Sequence, residues 1–174
     1  IDVEAFADKI TEKTAAVIIN SPNNPSGRIY PESTLKSLAQ TLKDKGKEVG
    51  RTIYLISDEP YRKIVYGDAQ VPSLFRLYEH SMVCSSYSKE LSIPGERIGW
   101  LAIHPEAEDG ENLINGAILC NRVLGYVNAP ALMQRVVKKA LNAKVDIQSY
   151  LRKRNALSAI LKEAGIPFRM PEGT

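Results

Sequence analysis

The chain has 174 residues, 44% hydrophobic and 25% charged, enough for one domain with a sizeable core or one domain plus part of another. Its net charge of +3 is scattered among Asp and Glu, which argues against nucleic acid or an anionic membrane as a partner. No run approaches the ~18 apolar residues of a membrane helix, and two cysteines with two histidines offer no short-spaced ligand pair, so no metal site is legible.

Four short apolar runs, at 15–20, 53–57, 81–85 and 98–104, predict strands. The first two are continuous rather than alternating, which suits a parallel sheet covered on both faces. Between them Pro31 stands at an N1-like position, and Leu35, Leu38, Ala39 and Leu42 recur at helical spacing until Gly46 and Gly50. Strand, helix, strand is a βαβ unit, for which a right-handed crossover is expected.

Past His104 the pattern is helical throughout. Leu113, Ile114, Ala117 and Ile118 mark one helix, and Leu132, Val136 and Ala140 a second. Tyr150, Leu151, Arg154, Leu157, Ile160, Leu161 and Ala164 mark a long third one, closed by Gly165 and Pro167. These helices are expected to cover the sheet. Trp100 is expected in the core, His80 and His104 in structural positions at strand edges, and Cys84 and Cys120 as buried thiols, which fits a reducing cytoplasm. The first residue is Ile1, and the segment from Gly165 to Thr174 begins a strand and turn that does not close, so the chain reads as an internal fragment. The expected fold class is α/β, a mostly parallel sheet with flanking helices.

Ligands of open α/β sheets bind beyond the carboxyl ends of the strands. The first predicted strand runs into Asn20-Ser21-Pro22-Asn23-Asn24-Pro25-Ser26-Gly27, the second into Asp58-Glu59-Pro60-Tyr61, and the third into Ser86-Tyr87-Ser88-Lys89. Arg97 follows Lys89 by eight residues, across a Pro-Gly turn. One rim is thus expected to receive an amide, a carboxylate with a phenol, and an amine with hydroxyls and a guanidinium. An amine forms a Schiff base with an aldehyde, and a guanidinium offers paired donors to a phosphate. An aldehyde carrying a phosphate is pyridoxal 5'-phosphate (PLP). Taken singly, each motif has a plainer reading: Asn24-Pro25-Ser26-Gly27 as a turn, Lys89 as a solvated lysine, and Arg97 as the partner of Glu90 or Glu96. Their order along the chain gives the combination its weight.

Together these residues resemble the fold-type I PLP-dependent aminotransferases of class I/II, in the aspartate or aromatic aminotransferase-like branch. The resemblance covers nearly the whole chain, and the interval ending Arg97-Ile98-Gly99-Trp100 is its most specific part. It implies a partial large cofactor-binding domain over residues 1–145, then a linking helix and the start of a small C-terminal domain over 146–174. It further implies that Lys89 forms the Schiff base and shuttles the proton, while Asp58 pairs with the pyridine nitrogen. Asn24 and Tyr61 would contact the 3' oxygen; Ser86, Ser88 and Arg97 would hold the phosphate. The expected substrates are an amino acid and a 2-oxo acid, the expected assembly a homodimer, and the expected location cytoplasmic. The same cofactor residues would equally serve a C–S β-lyase, or stand idle in a non-catalytic aminotransferase-like regulator domain or an incomplete, inactive chain. A Rossmann nucleotide domain is disfavoured, since no G-x-G-x-x-G follows a strand.

Overall fold

The structure, a computed structural model, describes residues 1–174. Strands β1 (Ala16–Asn20), β2 (Tyr54–Asp58), β3 (Ser81–Ser86) and β4 (Gly99–Ile103) form one sheet in the order β1-β2-β3-β4. The first three are parallel, and β4 runs antiparallel to β3. The result is a mixed, mostly parallel sheet with flanking helices.

Helix α2 (Glu32–Val49) supplies the crossover between β1 and β2. Pro31 lies just outside it in extended backbone, one position earlier than expected, and the left-handed Gly50 ends it by returning its N–H to the Gly46 carbonyl. Leu35, Leu38, Ala39 and Leu42 form one stripe of α2 and are buried against Ile19, Ile53, Leu55 and Val83 of the sheet region. Each leucine so buried contributes about 1.5–3 kcal/mol. A short helix not foreseen from the sequence, α1 (Val3–Ala7), packs on α2 and adds Phe6 to the edge of this core.

Three expectations about burial are corrected. The sheet is covered on one face: Ile19 and Leu55 point into the α2 core, whereas Ile18, which alternates to the opposite face, is 71% exposed. Helices α4 (Gly110–Val123), α5 (Ala131–Ala140) and α6 (Ile147–Glu163) do not cover it. Helix α4 lies against β4, but Ile118, Leu119, Leu132, Leu157 and Ile160 face solvent. Trp100 is 42% exposed on the outer strand rather than in the core. Cys84 is half-buried, and Cys120, on α4, is exposed.

The two histidines do sit in structural contacts. The His104 ring meets Phe75 edge-on with Nε2 at 3.1 Å from the Phe75 carbonyl, and His80 lies edge-on to Tyr54 and Tyr78. The last residues, expected to remain open, close onto the loop after β1. The Glu172 and Gly173 amides donate to the Gly27 carbonyl at 2.8 and 3.1 Å, and Glu172 Oε2 accepts from the Ile29 amide. Gly27 permits this approach, since it is left-handed (φ +65°) and a Cβ there would lie 2.5 Å from that of Pro171. No helix is long and apolar enough to cross a membrane.

Candidate active site

Parallel pairing aligns the carboxyl ends of the first three strands. Asn20 of β1 is in register with Asp58 of β2, and Asp58 with Cys84 of β3. Residues paired in this way point to the same face, so an amide, a carboxylate and a thiol stand in one row on the side away from α2. The Asn20 Nδ2 donates to Asp58 Oδ2 at 3.1 Å, and the Cys84 thiol lies 3.8 Å from Asp58 Oδ1. Burial pushes the Asp58 carboxyl above its ordinary value, opposed by these two hydrogen bonds. Burial likewise pushes the Cys84 thiol up, and the charge of Asp58 adds to it, so Cys84 remains a donor.

The loop after β1 brings Asn24 over this row. Its backbone N–H donates to Asn20 Oδ1 at 2.9 Å, and its own Nδ2 donates to the Tyr61 hydroxyl at 3.0 Å. Tyr61 comes from the turn after β2. Lys89 sits on a four-residue helix, α3 (Tyr87–Glu90), that follows β3 directly, and its Nζ is 5.7 Å from the centre of the Tyr61 ring. An unbroken line of contacts therefore joins Asp58, Asn20, Asn24, Tyr61 and Lys89. A second link holds α3 to the Tyr61 turn, where Lys63 and Glu90 pair at 3.2 Å.

Ser86, Ser88 and Arg97 line an open cleft of about 870 Å³ with Trp100, Asn121 and Tyr126. Arg97 is exposed and left-handed (φ +49°), and donates from Nη1 to the Pro94 carbonyl at 2.8 Å. It forms no ion pair: Glu90, one of its expected alternatives, is taken by Lys63. Gly99 lets β4 approach β3 here, for a Cβ would meet the Ser85 carbonyl at 2.5 Å. The structure thus gathers Asn24, Asp58, Tyr61 and Lys89 in one contact line and Ser86, Ser88 and Arg97 on one cleft wall.

Three neighbours of these residues were not singled out by sequence. Asn20 and Cys84 touch Asp58 only because of strand register, so the available signal was their place as strand-end residues in adjacent apolar runs. Glu59 is 4% exposed, and it fixes the strand ends from the opposite face. Its carboxylate accepts from Ser57 Oγ at 2.9 Å and from Arg62 Nη1 at 2.5 Å, while its carbonyl accepts from Ser85 Oγ at 2.9 Å.

Comparison with known proteins identifies the family. Residues 1–174 match the family described as aminotransferase class I and II. A probable aspartate/prephenate aminotransferase of Aquifex aeolicus is 31% identical over 179 residues, covering 99% of this chain and 44% of that protein. A crystal structure of an amino transferase from Eubacterium rectale superposes with a TM-score of 0.96 at 44% identity, covering 100% of this chain and 44% of that one. Aspartate aminotransferase from Thermus thermophilus, solved with maleate, superposes at 0.84 with 27% identity over 99% of this chain and 44% of its own. The chain spans less than half the length of these relatives. With the family matched from the first residue to the last, the chain belongs to the class I and II aminotransferases.

Proposed function

We propose that this chain is the cofactor-binding core of an aminotransferase that moves an amino group between an amino acid and a 2-oxo acid, with PLP as its cofactor. The observation that carries this reading is the contact line from Asp58 to Lys89, at the strand ends where open α/β sheets take their ligands. The donor set fits the group. A carboxylate stands at one end, an amide–phenol pair lies beside the amine, and two hydroxyls with an otherwise unpaired guanidinium suit a dianion.

When bound, PLP supplies an aldehyde for a lysine amine and a ring that withdraws electrons from the substrate's α-carbon. In this reading Lys89 is the residue that would hold the cofactor's aldehyde, and its Nζ, when neutral, would take and return the substrate's α-proton. Asp58 holds a proton at the ring nitrogen. Asn24 Nδ2 already donates to the Tyr61 oxygen, which leaves the phenol proton free to be donated to the 3' oxygen. Ser86 and Arg97 bind the phosphate, with Ser88 beside them. The apolar faces of α4, α5 and α6 that stand in solvent support self-association, in line with a homodimer.

Single-turnover mixing of the PLP-loaded full-length protein with amino-acid donors tests the proposal. Asp58→Asn keeps the side chain's shape but loses its charge. We expect it to retain cofactor while the amino-transfer half-reaction slows about 10²–10³-fold. Unchanged turnover would refute the role of Asp58. Pyruvate released without any 2-oxo acid acceptor would point to a C–S β-lyase instead.

A further inference from the structure

We infer that Asn20 is a positioning residue of this site: its single amide ties the carboxylate of Asp58 to the loop that carries Asn24. The inference rests on the PLP reading above and extends it to a residue with no direct part in the chemistry.

A side-chain amide has two N–H donors and a carbonyl with two acceptor sites. Asn20 uses all of them. Its Nδ2 donates to the Asp58 carbonyl at 2.9 Å and to Asp58 Oδ2 at 3.1 Å. Its Oδ1 accepts from the Asn24 amide at 2.9 Å and from Asn23 Nδ2 at 3.3 Å. The loop does not need Asn20 in order to turn. Gly27 N–H donates to the Asn23 carbonyl at 2.7 Å, Asn23 N–H to the Arg28 carbonyl at 2.8 Å, and Ser26 Oγ to Asn23 Oδ1 at 2.6 Å. What Asn20 adds is the link to the acid.

Strand register puts it there. As the last residue of β1, Asn20 lies opposite Asp58, and Cys84 lies on the other side. The carboxylate is therefore held through Oδ2 by the amide and through Oδ1 by the thiol. The same amide fixes the backbone of Asn24, whose side chain holds the Tyr61 hydroxyl. One side chain thus sets the Asp58 carboxylate relative to the Asn24–Tyr61 pair, the two groups that would hold different parts of the ring. The ionisable groups around this link are Asp58 itself, Cys84 from β3, Tyr61 from the turn after β2 and Lys89 from α3.

The test uses the full-length, PLP-loaded protein and two readouts, the PLP dissociation constant and the pH midpoint of the bound cofactor's visible absorbance. In Asn20→Ala, the Asp58 carboxylate loses the contact that fixes the direction of Oδ2, and a misaligned carboxylate pairs less well with the ring nitrogen. The ring is then less positive, and Lys89 Nζ keeps its proton to higher pH. We expect PLP binding about tenfold weaker and the midpoint higher by about one pH unit. Asn20→Asp keeps an acceptor for the Asn24 amide but sets a second carboxylate beside Asp58, so the midpoint should move at least as far in a folded protein. Asn23→Ala loosens the loop without touching Asp58; weaker binding with an unmoved midpoint is expected. A wild-type midpoint in either folded Asn20 variant would overturn the inference, as would an equal shift in Asn23→Ala. If the unaltered protein shows no band that Lys89→Ala abolishes, the PLP reading fails first and takes this inference with it.

Discussion

Replacing Glu59 by alanine should weaken the fold measurably, although the residue touches no substrate in the proposed reaction. Its carboxylate is buried and accepts from Ser57 and Arg62, and its backbone pairs with Cys84 and Ser85 of the neighbouring strand. Removing the carboxylate leaves the Ser57 hydroxyl and the Arg62 guanidinium without that partner. Breaking a buried pair costs about 3–5 kcal/mol. Arg62 keeps the Val71 and Pro72 carbonyls and its side chain is 37% exposed, so the loss is discounted to about 2–3 kcal/mol. At ~2–4 °C per kcal/mol for a chain of this size, the melting temperature should fall by roughly 5–10 °C. Glu59→Gln keeps the shape and a partner for Ser57, and should lose about half as much. The assay is urea and thermal unfolding of Glu59→Ala, Arg62→Ala and the double variant. The two single losses should exceed the double loss when summed, because each removes the same pair. A Glu59→Ala melting point within about 1 °C of the unaltered protein, or strictly additive losses, would refute the reasoning.

Two further outcomes follow from the same structure. Gly27→Ala should cost ~1–2 kcal/mol from left-handed backbone and ~1–3 kcal/mol from overlap with Pro171. It should also loosen the C-terminal closure, so limited proteolysis near Pro171 should quicken; an unchanged cleavage rate would contradict that contact. Tyr78 donates to the Ile53 carbonyl at 2.7 Å, and burial, with the charge of Glu79, pushes its phenol up to about 12 from an ordinary 10.0. The stability this neutral phenol confers is complete below pH 10.0 and is lost as pH rises toward about 12, since the unfolded chain releases the proton first. Tyr78→Phe should flatten that alkaline loss while costing about 1 kcal/mol at neutral pH, as the Ile53 carbonyl loses its partner. Identical alkaline unfolding curves for the two proteins would contradict it.

The β1–β3 frame was legible because each strand is a short apolar run, although only one face of the sheet is covered, and α2 because its leucines repeat on one face. Every strand begins and ends within one residue of its expected place. Periodicity identifies the apolar side of α4, α5 and α6 but not what lies against it, which is why their expected cover of the sheet was wrong. Helix α3, with four residues, is too short to show a period, so Lys89 was placed at a strand end rather than on a helical turn. The residues expected at the rim were found by residue type at strand ends. Asn20 and Cys84 escaped because their importance lies in register, which appears only once the strands are paired. The closure of Glu172 on Ile29 spans 143 residues of sequence, far beyond any local signal.

The most direct measurement is an absorbance titration of the full-length protein with PLP, alongside Lys89→Ala. A saturable visible band in the unaltered protein, absent in the variant while its fold by circular dichroism is retained, is the expected result. A band of equal size in both proteins, or none in either, would contradict the assignment of Lys89 as the cofactor's point of attachment.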